Sequence, residues 1–203
     1  MRSFLMTVVV IFLLFSAFGD PGLAANPAPV KGGVLPRFKL PIPKDPGEKS
    51  YLWLSGRGFF RIPQIKTKVV IVEIFSIYCP QCQKIAPEMD AFYHLIENAP
   101  NLKGKIKLIG IGAGNSRYEV EVFKKTFNTP FPLFPDNDFT IHNALGEVRS
   151  PYFIAIEINK NGTHRVVHSE LDSFKDAHAF LELMITASSL KRDDSIVGER
   201  KKD

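Results

Sequence analysis

The stretch from Val69 to Glu88 constrains the fold of this 203-residue chain more than any other part. It opens with an apolar, largely β-branched run, Val69–Phe75, which one acid, Glu73, interrupts. Such a run predicts a strand that is buried on both faces of a parallel or mixed sheet. The chain then turns within Cys79–Cys82 (Cys-Pro-Gln-Cys) and continues with apolar residues at helical spacing. The sequence therefore predicts a strand that leads into a helix, with both cysteines of the chain at the junction.

The N-terminal 25 residues predict where the protein works. Arg2 precedes an apolar run, Phe4–Phe18, and a Gly-Asp-Pro-Gly breaker with small residues up to Ala25 follows. This order is typical of a secretory signal peptide, and the run is shorter than the roughly 20 residues that a membrane-spanning helix needs. We therefore expect residues 1–25 to be a signal peptide and the protein to be periplasmic or otherwise extracytoplasmic, where disulfides persist. An uncleaved membrane anchor is the alternative.

The remaining chain reads as one domain with appendages. Residues 26–48 are rich in proline and are expected to be a linker. Strand and helix patterns alternate over residues 49–187, which indicates an α/β domain, and residues 188–203 are expected to be a charged, flexible tail. The net charge of +5 is mild and no dense basic run precedes the last residues, so nucleic acid is not an expected partner.

Three details of this domain are predicted from local signals. Two short β-rich runs, Ser50–Ser55 and Phe59–Ile62, lie on either side of Gly-Arg-Gly and predict an N-terminal β-hairpin. Residues 128–136 hold three prolines and are expected to run irregularly. Asp172 or Ser173 is expected to cap the last helix.

The two cysteines have the spacing that a redox-active dithiol needs. Two intervening residues at a helix start allow the sulfurs to bond with little backbone movement. The helix N-terminus lowers the pKa of a thiol there, and Pro80 suits the first helical turn because it lacks an N–H. Cys79 lies nearer to the helix N-terminus and to solvent, so we expect it to attack and Cys82 to resolve the mixed disulfide. A structural disulfide, or a zinc site with His164 and His168 as further ligands, is the alternative.

Glu73 is the third candidate catalytic residue. A carboxylate within an apolar strand is costly unless it is paired or protonated. Glu73 precedes Cys79 by six residues on the strand that leads to it. Buried below the cysteines with a raised pKa, it could accept and return the proton of Cys82. The alternative is a glutamate on an edge strand that faces solvent.

These residues resemble the active-site segment of the thioredoxin family. The family has an acid six residues before the first cysteine, here Glu73, and a proline five residues after the second, here Pro87. Ser150-Pro151, followed by an apolar strand and a hairpin, matches the family's cis-proline loop. An additional strand and helix within Phe131–Leu145, together with the N-terminal hairpin, resemble the exported TlpA/ResA-like thioredoxins, and this resemblance covers about Val34–Ala187. Tyr78 stands where the family usually has a tryptophan, and Ser150 replaces a threonine.

The resemblance implies a thioredoxin-like fold with a central mixed β-sheet, flanked by helices, and no cofactor or metal. It implies an extracytoplasmic thiol–disulfide oxidoreductase that exchanges disulfides with exported proteins, and of the two directions of electron flow we favour reduction. Protein disulfides or dithiols would be the substrates, a membrane redox partner would supply electrons, and the chain would be a monomer. The residues expected to contact substrate are Ser150, Pro151, Tyr78, Pro80 and Gln81.

Two other function classes remain open at this point. A peroxiredoxin-like thiol peroxidase is suggested by Ser76, three residues before Cys79, and by Arg149 as a cation for the thiolate. Cys82 argues against it, because a peroxidatic cysteine needs no partner two residues further on. A non-enzymatic binding domain with a structural cysteine pair is the third possibility.

Overall fold

The computed structural model describes residues 26–172 and 174–190. The predicted signal peptide, Ser173 and residues 191–203 of the predicted tail lie outside the described residues. The strands are β1 (Leu40–Pro41), β2 (Phe59–Phe60), β3 (Val69–Phe75), β4 (Ile106–Ala113), β5 (Leu133–Asp136), β6 (Tyr152–Ile158) and β7 (His164–Leu171). The helices are α1 (Pro46–Tyr51), α2 (Pro80–Asn98), α3 (Arg117–Thr126), α4 (Thr140–Ala144) and α5 (Ala177–Ala187).

A mixed five-stranded sheet in the order β5-β4-β3-β6-β7 organises the domain. Strands β3, β4 and β5 run parallel, while β6 and β7 are antiparallel to their neighbours. Helices pack against this sheet, and β1 and β2 form a separate antiparallel pair on the N-terminal side. The predicted fold class, a central mixed sheet with an N-terminal two-stranded unit, is therefore confirmed.

Strand β3 lies at the centre of the sheet, and all of its residues are apolar except Glu73, whose pKa is raised by burial. All seven are buried, and their side chains alternate between two cores. Val70, Val72 and Ile74 belong to the core that the N-terminal segment covers. Val69 and Ile71 belong to the core that α2 and α5 cover. Helix α2 buries an apolar stripe against that second core, consisting of Ile85, Met89, Phe92 and Ile96.

The N-terminal segment differs from the sequence prediction. Ser50–Ser55 was expected to be a strand, but the chain forms α1 over Pro46–Tyr51. Asp45 caps this helix by accepting the N–H of Glu48 at 2.8 Å, and Pro46 occupies its first turn, which favours a helix over the β pattern of the apolar residues that follow. Strand β2 pairs with Leu40–Pro41 instead.

Residues 26–48 pack onto the domain, although the sequence predicted a linker. Leu35 and Leu40 are buried in the core on the N-terminal side of the sheet. The backbone of Gly32 and Gly33 also pairs with Val166 of β7, with N···O distances of 2.8 Å in both directions. Two apolar side chains and these backbone hydrogen bonds are enough to hold a proline-rich stretch against a sheet edge.

Two further boundaries were misplaced. Local signals predicted an irregular course for residues 128–136, yet Leu133–Asp136 form β5, whose proline is tolerated because the strand lies at the sheet edge. Strand β5 and helix α4 are the additional strand and helix that the family resemblance placed within Phe131–Leu145. The last helix is capped by Asp176, which accepts the N–H of Ala179 at 2.8 Å, and not by Asp172, which directly follows β7 with a φ of 46°. Over the ranges that the structure describes, no helix is long and apolar enough to cross a membrane.

Candidate active site

The two cysteines lie at the junction of β3 and α2 and form a disulfide. Their Cα atoms are 5.2 Å apart. Cys79 is the N-cap residue of α2, and its Sγ accepts the N–H of Cys82 at 3.1 Å. Cys82 is fully buried, whereas Cys79 is only half-buried. A partner can therefore reach the outer sulfur and not the inner one, and the helix N-terminus directs an N–H group at the outer sulfur.

Glu73 lies on the face of β3 that α2 covers. Side chains two residues apart share a face of a strand, and Ile71 and Phe75 on either side of Glu73 pack against α2, Phe75 in one cluster with Cys82. Glu73 is 5% exposed. Within the described residues no hydrogen-bond donor or cation is placed on its carboxyl group.

Burial alone sets the acidity of Glu73. Removal from water disfavours the charged carboxylate and raises the pKa of Glu73 from 4.5 to about 8. The side chain is thus mainly a neutral acid at pH 7, at a position on the sheet face under the first turns of α2. A group with these properties can hold and release a proton near neutral pH.

The Ser150-Pro151 loop closes over the disulfide from the other side. The peptide bond between these residues is cis. The carbonyl oxygen of Ser150 lies 3.6 Å from the Sγ of Cys79. Pro151 is buried, and its carbonyl accepts the N–H of Asp172 at 2.9 Å. The loop thus contacts the outer sulfur directly, although Ser150 lies 71 positions after Cys79 in the sequence.

The three other residues expected to contact substrate surround Cys79 at the surface. Pro80 is exposed and Tyr78 is 72% exposed. The hydroxyl of Tyr78 donates to the Glu119 carboxylate, and this hydrogen bond raises the pKa of Tyr78 and lowers that of Glu119. The side-chain Nε2 of Gln81 donates to Oδ1 of Asp172 at 3.3 Å. The structure therefore places all eight of the predicted site residues on β3, in the first turn of α2 or in the loops beside this junction.

Two residues near this junction were not predicted from the sequence. Asn115 follows β4, and Gln83 follows Cys82 in α2; both bind the backbone of Ile77 in the loop before Cys79. The available signal for Asn115 was its place after a strand parallel to β3, since the carboxyl ends of neighbouring parallel strands meet at one edge. His164 and His168 lie on β7, and within residues 26–172 and 174–190 no group of three or more His, Cys, Asp or Glu residues could hold a metal ion.

The fold and the site define a class: a thioredoxin-like domain with a cysteine pair at a helix N-terminus, a buried acid and a cis-proline loop. No family model matches the chain. It is 24% identical to the thiol-disulfide oxidoreductase ResA of Geobacillus thermodenitrificans over 185 residues, which cover 89% of this chain and 95% of that protein. It is also 24% identical to ResA of Halalkalibacterium halodurans over 121 residues, 60% of this chain and 65% of the relative.

A solved structure supports the fold. A candidate protein disulfide isomerase from Bacteroides thetaiotaomicron matches with a TM-score of 0.59 and 19% identity over 81% of this chain and 92% of its own. The chain is therefore similar in sequence to thiol–disulfide oxidoreductases named ResA and in fold to this solved structure, and the expected resemblance is confirmed.

Proposed function

We propose that this chain is an extracytoplasmic thiol–disulfide oxidoreductase that reduces disulfides in exported proteins. The observation that carries the proposal is the accessible Sγ of Cys79, held at a helix N-terminus and bonded to the buried Cys82. The similarity to curated thiol–disulfide oxidoreductases supports the same reaction class. The extracytoplasmic location rests on the signal-peptide pattern of residues 1–25.

The reaction begins from the dithiol form. The Cys79 thiolate attacks one sulfur of the partner's disulfide, forms a mixed disulfide and releases the other partner sulfur as a thiolate. Cys82 then loses its proton and attacks the Sγ of Cys79. This step forms the Cys79–Cys82 disulfide and releases the second partner thiolate. Two electrons pass from the chain to the partner, which ends as a dithiol after taking up two protons.

Glu73 is the proposed acceptor for the proton of Cys82. Only the carboxylate form can accept a proton, and with a pKa of about 8 roughly one Glu73 in ten is ionised at pH 7. This fraction is large enough for proton transfer without requiring a permanently buried charge. The transfer is direct or passes through one water, as for other general bases.

The partner would bind over Cys79. Ser150 and Pro151 present backbone groups beside the outer sulfur, where an extended segment of a substrate could pair, while Tyr78, Pro80 and Gln81 surround it. Because each cycle leaves the chain oxidised, a reductase needs an electron donor, and we propose a redox protein of the membrane. We also propose that the working unit is a monomer.

The test uses the mature protein in its reduced form. Wild type should reduce the disulfides of insulin, and Cys82→Ser should retain exported partner proteins as mixed disulfides that dithiothreitol releases. Cys79→Ser serves as the control and should trap nothing. A wild-type protein that reduces no protein disulfide, together with a Cys82→Ser variant that traps no partner, would rule out the proposed function. Peroxide consumption that survives the loss of Cys82 would point to the peroxidase instead.

The direction of electron flow follows from one further measurement. A reduction potential of the Cys79–Cys82 couple near about −270 mV or below fits a reductase, and one near about −120 mV fits an oxidase.

A further inference from the structure

The peptide groups of Ile77 are held by side chains on both sides. Oδ1 of Asn115 accepts the N–H of Ile77 at 2.8 Å. Nε2 of Gln83 donates to the carbonyl oxygen of Ile77 at 2.7 Å. Ile77 lies two residues before Cys79 in the redox loop, Ser76–Cys79, which joins β3 to α2. Both backbone polar groups of Ile77 are therefore bound by side chains from outside this loop.

Asn115 is a fully buried polar side chain, and its bonds fix its orientation. Besides accepting from Ile77, it donates from Nδ2 to the Oγ of Ser76 at 3.2 Å, and its own N–H donates to Gly112 at 3.0 Å. A Cβ atom on Gly112 would come within 3.0 Å of Oδ1 of Asn115, so the glycine leaves room for the amide. A buried amide with all these partners has one favoured position. It attaches the redox loop to the β4–α3 connection.

Gln83 attaches the same loop to the helix that carries Cys82. It is an exposed residue of the first turn of α2, directly after Cys82. Its side chain reaches back to Ile77, while its backbone N–H donates to the carbonyl of Cys79 at 3.1 Å. The amide of an exposed glutamine can bind water, so it does not need a protein partner as a buried polar group does. The contact of Gln83 with Ile77 is therefore not required for packing of the core.

The loop in turn positions the outer cysteine. The carbonyl of Ser76 accepts the N–H of Cys79 at 3.0 Å, so a fixed Ser76–Ile77 segment fixes the backbone of Cys79. In the disulfide form the S–S bond also holds Cys79 against Cys82. In the dithiol and mixed-disulfide forms that bond is absent. The hydrogen bonds to Ile77 then act together with the N–H of Cys82 on the Sγ of Cys79 and the N–H of Gln83 on the carbonyl of Cys79 to hold the two cysteines in place.

We propose that Gln83 and Asn115 are positioning residues for the resolving step, in which Cys82 attacks the Sγ of Cys79. This inference rests on the proposed function, since it concerns the same cysteine pair. Holding the two reacting groups in place accelerates an intramolecular step. Loss of one hydrogen bond to Ile77 should therefore slow the attack of Cys82 and leave the initial attack of Cys79 on a partner disulfide nearly unchanged.

The test separates these two steps with the small disulfide dithiobis(nitrobenzoate) and the reduced full-length mature protein. Cys79 first forms a mixed disulfide and releases one nitrothiobenzoate, at a rate that depends on reagent concentration. Cys82 then displaces the second nitrothiobenzoate in a first-order step as the Cys79–Cys82 disulfide forms. Both releases are followed by their absorbance, so each variant gives both rates in one experiment.

Gln83→Ala should slow the second release roughly three- to tenfold, the range of a net hydrogen bond, with an unchanged first release and a loss of stability in urea no larger than that of this one bond. Lys84→Ala is the matched control, because Lys84 is the next residue of the same helix and is also exposed; it should behave as wild type. Asn115→Ala should slow the second release by at least as much. Its control is Leu181→Ala in α5, which removes a buried side chain elsewhere and should destabilise the fold without changing the second release.

Equal second-release rates for wild type and Gln83→Ala would overturn the inference. So would an equal slowing of the second release in Leu181→Ala and Asn115→Ala, compared under conditions where the two variants have the same free energy of unfolding. The proposed function has a separate failure: a wild type that shows both releases but reduces no protein disulfide would refute the function and leave the positioning of Cys79 intact.

Discussion

Replacing Glu73 by glutamine should stabilise the oxidised protein at neutral and alkaline pH. Burial raises the pKa of this carboxyl to about 8, against 4.5 for the unperturbed group. The unfolded chain thus releases the proton near pH 4.5, while the folded chain retains it until about pH 8. Raising the pH through this window favours the unfolded state, so the wild type loses stability as the pH rises.

The magnitude follows from the width of the window. One pKa unit corresponds to about 1.4 kcal/mol, so the free energy of unfolding should fall by about 4 kcal/mol between pH 4.5 and pH 8, and by about 3 kcal/mol up to pH 7. Glutamine has nearly the same size as protonated glutamate and does not titrate. The variant should therefore match wild type near pH 4.5 and exceed it by about 3 kcal/mol at pH 7.

The assay is urea unfolding of the oxidised proteins at several pH values between 4.5 and 8. Glu121→Gln, at an exposed position of α3, is the control and should follow wild type. A difference in stability between wild type and Glu73→Gln that stays constant over this range would refute the argument, because it would mean that folding does not change the pKa of Glu73.

Glu73→Gln, which should raise the stability, should lower the rate of the reaction. Glutamine cannot accept the proton of Cys82, so the resolving step should slow by roughly 100-fold, the lower range for the loss of a general base. A more stable but slower variant identifies a residue kept for chemistry and not for packing. A variant that is more stable and equally fast at pH 7 would show that Cys82 loses its proton to another acceptor.

Three other substitutions test the packing that positions the site. Glu97→Ala should destabilise the fold by about 3 kcal/mol in urea, because it leaves the ammonium of Lys107 buried without its 3.0 Å partner, and adding Lys107→Met should recover most of that loss. Gly110→Ala should cost about 1–3 kcal/mol in the same assay, since its Cβ would overlap the side chain of Leu133. Burial raises the pKa of Glu157, but hydrogen bonds from a serine and two cationic side chains outweigh it and hold the pKa at about 2. Stability should therefore fall as the pH drops from about 4.5 towards 2, and urea unfolding of Glu157→Gln should show a smaller fall over this range.

The sequence predicts the redox centre well because its signals are local. An apolar run that ends in Cys-Pro-Gln-Cys specifies a strand, a turn and a helix start within 20 residues, and the alternation of β3 already places Glu73 on one face with Phe75. The Ser150-Pro151 loop was found only through the resemblance to a family. Its contact with Cys79 spans 71 residues, and nothing local to either segment encodes that distance.

The prediction was wrong where weak local signals compete. In α1, the Asp45-Pro46 start outweighs the β preference of the residues up to Ser55, and the partner of β2 then lies at Leu40, beyond a helix. Asn115 was missed for a different reason. Its contact with Ile77 depends on the order of the strands, since only a sheet with β4 beside β3 brings the end of β4 next to the loop before Cys79.

The position of Glu73 in the sheet explains why its proton and the electrons of the cysteine pair should move together. On β3 it stands between Gly110 of β4 and Phe153 of β6, neither of which can donate a hydrogen bond from its side chain to a carboxylate. With no cation on it in the described residues, the carboxylate is disfavoured by burial alone, and a thiolate on Cys82 in the neighbouring cluster would disfavour it further. A buried thiolate beside a buried carboxyl group is costly, so Cys82 should take up a proton when the disulfide is reduced, while Glu73 keeps its own. Reduction at this site therefore takes up a proton as well as electrons, and the carboxylate form of Glu73 is the proposed acceptor for the proton of Cys82 when the disulfide closes again.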